Sequence, residues 1–217
     1  GLLARWPRAS VVGVDASAGM REMADSLADE TLGAERHRFR SEVAFADDLP
    51  FPDGAFDLAL SSFVYQLVPN RARALREARR VIRPGAALAY VSWLQDSRVF
   101  LPDRIFDEVL ETIGIGAREP DGRCGDLPSV ERAAGELRRA GFSAVTAEAD
   151  WLEHPFTIEG YLGFLSEFDE ETLFDELDRK ERAHLFRTMR ERLGALTPDD
   201  LTMRFPIVYA SGRRSNR

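Results

Sequence analysis

A chain of 217 residues with 44% hydrophobic content can bury a sizeable core, and one globular domain suits that length better than two. Its formal net charge of −8 argues against a general nucleic-acid or membrane-surface role, because phosphate backbones and anionic headgroups select basic patches. Cys124 is the single cysteine, so no intramolecular disulfide or thiolate metal cluster is available, and a reducing cytoplasm is the natural setting. No apolar run approaches transmembrane length, and no signal-peptide pattern opens the chain.

The first half alternates strand and helix patterns. Residues 2–6 read as the last turns of a helix stopped by Pro7, whose ring and missing N–H end a helix near the preceding residue. Residues 11–14 form a β-branched run that ends on Asp15, the pattern of a short buried parallel strand. Ser17 then caps a helix that carries Met20, Met23, Ala24 and Leu27 on one face. Residues 42–46 make a weaker strand, and residues 56–63, FDLALSSF, a stronger one. Asn70 caps a helix with Leu75, Ala78 and Ile82 on its apolar face, ended by Pro84-Gly85, and residues 87–93 are a further buried strand. Connections of this length fit parallel crossovers.

Ile105, Phe106, Val109, Leu110 and Ile113 make an amphipathic helix, followed by the turn-rich loop GAREPDGRCGDLPS. Ser129 caps a helix with Val130, Ala133, Leu137 and Ala140 on one face, ended by Gly141, and a strand covers residues 143–151. Thr157 begins an aromatic-rich helix bearing Ile158, Tyr161, Leu162, Leu165 and Phe168. Asp178 and Glu181 have the spacing of a capping box, opening a helix through Leu185, Phe186, Met189 and Leu193 to Gly194. The last strand covers residues 201–212, and Arg213, Arg214 and Arg217 read as a solvated tail. There is no internal repeat and no low-complexity segment.

Between Asp15 and Gly85 the ordered pattern becomes specific. FADDLPFPDGAFDLALSSFVYQLVPN, followed by LREARRVIRPGAALAYVSW, resembles the class I S-adenosylmethionine (SAM) dependent methyltransferases, in particular the small-molecule, UbiE-like group. The resemblance implies an α/β, Rossmann-like, mostly parallel open sheet with helices on both faces, an antiparallel last strand, and a helical cap over residues 152–200 inserted before it. It also implies a first central strand and a glycine-rich turn that precede Asp15, neither of which this sequence contains, so the single domain reads as N-terminally incomplete.

Roles follow from that resemblance together with residue chemistry. Asp15, at a strand's carboxyl edge, either accepts hydrogen bonds from the ribose hydroxyls of SAM or simply caps the following helix. Ala46, Asp47 and Asp48 border the adenine, although Phe45 stands where relatives commonly carry an acid, so Asp47 is either the adenine contact or a solvated loop charge. Leu49-Pro50-Phe51 reads as a packing turn, and Asp57 as a structural acid at a strand start. Ser61 and Ser62 leave the strand beside the cofactor. Tyr65 and Gln66 either touch the methionine portion or acceptor, or are a polar strand exit followed by a buried tyrosine.

Methyl transfer from a sulfonium asks mainly for alignment, so a general base is optional. Tyr65 and His154 are the candidates for one, while His37 and His184 read as exposed, and no His, Cys or carboxylate spacing suggests a metal. Cys124 has no neighbouring nucleophile partner. Tyr161, Phe164, Leu165 and Phe168, with Trp151 and Phe156, either roof an apolar cleft for a hydrophobic or aromatic small-molecule acceptor or form the core of the cap. Two rival readings remain, an NAD-type oxidoreductase and a non-catalytic methyltransferase-like remnant.

Overall fold

The computed structural model describes residues 2–114 and 125–215, and within them the side chains of all but residues 168, 169, 171 and 172. Cys124, Arg217, the Phe168 side chain and most of the loop after Ile113 therefore lie outside the described residues.

Local sequence signals set the helix starts. Ser17, Asn70, Ser129 and Thr157 each accept a backbone N–H three residues on, opening α2 (Ala18–Leu32), α3 (Arg71–Val81), α5 (Val130–Arg139) and α6 (Ile158–Phe164). Asp178 and Glu181 close a reciprocal capping box at the head of α8 (Arg179–Leu193). The remaining helices are α1 (Leu2–Arg5), α4 (Leu101–Ile113) and α7 (Glu171–Glu176). Past Phe164 the chain takes a π-helical turn, Leu165–Asp169, instead of continuing the aromatic helix expected from Thr157 onward.

Strands β1 (Val11–Asp15) and β2 (Phe39–Val43) pair in parallel as a two-stranded sheet. Strand β2 starts and stops earlier than the expected residues 42–46, because Gly33–Arg38 coil as a 3₁₀ helix and Phe45 to Asp48 close a tight turn, with the Asp48 N–H on the Phe45 carbonyl at 3.0 Å. The second sheet has the order β3-β4-β6-β5, from β3 (Phe56–Ser62), β4 (Ile82–Trp93), β6 (Thr202–Arg214) and β5 (Phe142–Pro155). Strands β3 and β4 are parallel. Strand β4 begins at Ile82, five residues before the expected start, and absorbs Pro84-Gly85 in a bulge where the register steps from Phe56↔Ile82 to Leu58↔Ala87. Gly85 takes φ 82° there, a conformation L side chains rarely adopt. Ser143 bonds to Arg213 and Thr146 to Ser211, so β5 and β6 run antiparallel. Among the described residues β1 and β3 each have a strand on one side only.

Arg213 and Arg214 belong to β6 and are not a solvated tail. The Arg214 Nη1 donates to the carbonyls of Arg79, Arg80 and Ile82 at 3.1, 2.7 and 2.7 Å, satisfying the orphan acceptors at the end of α3.

The described residues form two compact units. The first takes in residues 1–92, 123–148 and 209–217. Its core joins Leu75, Ala78 and Val81 of α3 to Leu137 of α5 and Leu88 of β4, all buried. The opposite face of the sheet is barely covered: Leu58, Leu60 and Tyr209 are 43, 50 and 46% exposed. Helix α2 buries only Ala28, leaving the apolar face expected from Met20, Met23 and Leu27 in solvent. The second unit takes in residues 93–122 and 149–208, packed around Phe106, Phe174, Leu185, Met189 and Leu193.

Candidate functional site

In a parallel sheet, side chains at the carboxyl ends of strands and the loops that follow them form the usual ligand edge. Asp15 ends β1 there, exposed, and its Oδ1 accepts the Ser17 N–H at 2.8 Å. Ser17, not Asp15, is the N-cap of α2, through its hydroxyl on the Met20 N–H at 3.3 Å. The Asp15 Oδ2 has no hydrogen-bond partner among the described residues, so one oxygen of a preset carboxylate stays available.

Strand β2 delivers the neighbouring loop. Asp15 pairs in register with Val43, and the Ala44 N–H donates to the Asp15 carbonyl at 2.9 Å, so the Phe45–Asp48 turn leaves the sheet next to Asp15. Ala46 and Asp47 are half-buried in that turn, and Phe45 is 65% exposed. Asp48 is exposed and sits 3.6 Å from Arg73 of α3. Asp15, Ala46, Asp47 and Asp48 are thus brought to one edge.

The loop after this turn is held by α3. The Glu77 Oε2 accepts the Leu49 N–H at 3.1 Å, while Arg80 donates to the Leu49 and Phe51 carbonyls at 2.9 and 2.6 Å and to both oxygens of Glu77. Hydrogen bonding to Arg80, with the Leu49 N–H adding to it against partial burial, keeps the Glu77 carboxyl below the usual carboxylate range. Phe51 packs edge-on against Phe56 at 5.0 Å, the packing turn expected of Leu49-Pro50-Phe51. Asp57 pairs with Arg83, a structural acid at the strand start.

At the carboxyl end of β3, Ser62 is exposed and the Ser61 Oγ is buried without a partner among the described residues. Both line an open trough of 710 Å³ on the bare sheet face, with Leu60, Val91, Thr146 and Tyr209 around them. Tyr65 and Gln66 turn inward, 4 and 5% exposed. Tyr65 packs edge-on against Tyr90 at 5.0 Å, and burial pushes its phenol far above the ordinary range. The Gln66 Oε1 accepts from Ser92 at 2.8 Å, and its Nε2 donates to the Phe63 carbonyl at 2.7 Å. Of the two alternatives for this pair, the buried strand exit is the observed one.

In the second unit Tyr161 is 1% exposed and donates to the Asp103 carboxylate at 2.7 Å, and Leu165 lies in the same core. Phe164 is half-buried against Phe156 at 5.5 Å. His154 is exposed with its ring edge-on to Phe156 at 4.5 Å, and Trp151 is half exposed beneath the Arg98 guanidinium at 4.1 Å. His37 and His184 are exposed. No group of three His, Cys, Asp or Glu side chains is arranged to hold a metal among the described residues, and none of their helices is long and apolar enough to cross a membrane.

Glu77 and Arg80 are not among the residues that motif chemistry singles out. Only the i, i+3 spacing of Glu77 and Arg80 on a capped helix carried any signal.

This α/β fold, with an acid ending one strand and a turn beside it, is similar to that of known methyltransferases. The methyltransferase domain family matches residues 1–90 of this chain. A malonyl-[acyl-carrier protein] O-methyltransferase of Geobacter sulfurreducens is 27% identical over 216 residues, covering 97% of this chain and 77% of that protein. The ubiquinone/menaquinone biosynthesis C-methyltransferase UbiE of Methylobacterium nodulans is 34% identical over 134 residues, covering 53% of this chain and 52% of that protein. Among solved structures, the YcgJ protein from Bacillus subtilis shares the fold with TM-score 0.59 at 17% identity, over 100% of this chain and 87% of that one. A Haemonchus contortus N-methyltransferase crystallised with S-adenosylhomocysteine does so with TM-score 0.54 at 16% identity, over 97% and 45%.

Proposed function

We propose that this chain binds SAM and moves its methyl group to a small-molecule acceptor by in-line displacement. The observation that carries the reading is Asp15, which ends β1 with Oδ2 uncommitted beside the Phe45–Asp48 turn, inside the stretch matched by the methyltransferase family. Bound SAM supplies a methyl on a positively charged sulfur, a leaving group that needs no protonation. What the chain adds is binding and alignment, which by themselves supply much of the acceleration of a displacement of this kind. Asp15 holds the ribose, Ala46, Asp47 and Asp48 border the adenine, and Ser61 with Ser62 flanks the methionine end. The names of two relatives, a malonyl-[acyl-carrier protein] O-methyltransferase and a ubiquinone/menaquinone biosynthesis C-methyltransferase, support a small acceptor group.

Calorimetric titration with SAM, S-adenosylhomocysteine and NAD tests this directly. Binding of the first two and not of NAD is expected; NAD binding with no response to SAM would sink it. A second reading is a methyltransferase-like binding domain without turnover. It predicts SAM binding but no label transfer from methyl-labelled SAM to a demethylated quinol or a malonyl thioester.

A further inference from the structure

We propose that Glu77 and Arg80 are positioning residues for the cofactor, holding residues 49–54 in place from one side of α3 and thereby fixing the Phe45–Asp48 turn beside Asp15. This rests on the SAM reading above.

Residues 49–54 belong to no helix or strand, so their backbone groups must find partners elsewhere or stay wet. Two side chains one turn apart supply those partners. Glu77 takes the Leu49 N–H at 3.1 Å; Arg80 reaches the Leu49 carbonyl at 2.9 Å and the Phe51 carbonyl at 2.6 Å; and the Arg80 carbonyl takes the Gly54 N–H at 2.9 Å. Arg80 also binds Glu77 through Nε and Nη2 at 2.9 and 2.8 Å, so each side chain is oriented by the other before it meets the loop. The Glu77 carboxylate is 19% exposed and Arg80 31%, more sheltered than an ordinary surface pair.

Arg73 lies four residues before Glu77 on the same helix face and meets Asp48. One stripe of α3 thus grips the loop from Asp48 to Gly54. On its other side the loop is anchored by Phe51 against Phe56. With both anchors fixed, Ala46 and Asp47 have little freedom, and that turn is the one bonded through Ala44 to Asp15. A guanidinium is needed because its planar fork serves two carbonyls and the carboxylates of Glu77 and Asp53 at once, which an ammonium on a flexible stem does not reproduce.

The test uses the whole chain with Arg80→Lys and, separately, the milder Glu77→Gln, which keeps an oxygen for the Leu49 N–H. Affinity for SAM and for 5′-methylthioadenosine, which bears the adenine and ribose but no methionine end, is measured where each variant is fully folded by circular dichroism. Amide exchange at Leu49 and Gly54 is followed in parallel. Arg80→Lys is expected to weaken both ligands by the same factor, about tenfold, the loss that corresponds to one charge-assisted hydrogen bond. Glu77→Gln should do so by less, with faster exchange at both amides in each case. Unchanged ligand affinity with faster exchange would make the pair a purely structural staple and overturn the proposal. So would a loss for SAM that spares methylthioadenosine. If the unsubstituted chain binds neither ligand, the SAM reading fails and this inference with it. If Arg80→Lys does not fold, Glu77→Gln alone decides.

Discussion

Gln66 donates through Nε2 to the carbonyl of Phe63 at 2.7 Å, and Phe63 is held at φ 52°, in the left-handed region that non-glycine residues rarely occupy. The Phe63 N–H is tied to the Val91 carbonyl at 3.0 Å, and Ser92 completes Gln66 from the same strand. A buried amide thus holds the sharp exit from β3 at the carboxyl edge of the sheet.

Gln66→Leu is therefore expected to lower the unfolding free energy by about 1–3 kcal/mol, since it strands the buried Ser92 hydroxyl and frees the Phe63 carbonyl. Urea denaturation reads the loss. Adding Phe63→Gly, which removes the left-handed strain, should recover part of it. If the double substitution is merely additive, Gln66 is not holding that conformation.

Arg71 and Glu136 meet at 2.7 Å with side chains 8 and 10% exposed, and Arg71 also reaches the Gly125 carbonyl at 2.9 Å. Breaking the pair with Glu136→Ala should cost about 3–5 kcal/mol, because an uncompensated guanidinium is left buried. Replacing both residues by apolar ones of similar size should cost much less. Thermal and urea unfolding of the single and double variants separate the two outcomes.

The same pair has a pH signature. Burial pushes the Glu136 carboxyl up, but hydrogen bonds and charge from Arg71 and then Arg132 outweigh it and hold the group below its ordinary value. A folded value below the unfolded one, about 4.3, means the contribution is fully present above that pH and is lost as pH falls through the folded value. Acid unfolding of the native chain should therefore show a steeper fall of stability below about pH 4 than Glu136→Gln shows. Equal slopes would contradict it.

Asp15→Asn keeps an oxygen for the Ser17 N–H and leaves the Ser17 cap on α2 intact, so the melting temperature should hold. What is lost is the anion. SAM affinity is expected to fall by about tenfold to a hundredfold, the worth of a charge-assisted hydrogen bond. Calorimetry that finds unchanged affinity would remove Asp15 from the site.

Tyr161→Phe tests the acceptor role that the sequence suggested for this residue. Its ring lies in the second unit's core and its hydroxyl meets the exposed Asp103, so the substitution should cost about 1–2 kcal/mol of stability while SAM affinity stays as it was. A thermal melt with a parallel SAM titration checks both.

What the sequence by itself determined was whatever is decided within a few residues. Ser17, Asn70, Ser129, Thr157 and the Asp178/Glu181 pair mark helix starts because a cap bonds to an N–H two or three positions away. The ordered run from Asp15 to Gly85 likewise carried the fold class, since strand ends and their turns are written consecutively. Only the tertiary structure decided which way the strand exits face and what holds the loops. Tyr65 and Gln66 sit where one residue of register separates a ligand edge from a core, and packing against Tyr90 and Ser92 turned them inward. Tyr161 fitted a cleft or a core equally well by composition, and its partner is Asp103, 58 residues away. Arg71 finds Glu136 at a separation of 65 residues, and Arg80 finds the Leu49 carbonyl at 31. Partners so distant along the chain become neighbours only once the sheet and its helices have packed, because no local periodicity encodes where a long side chain will find an unpaired carbonyl or carboxylate.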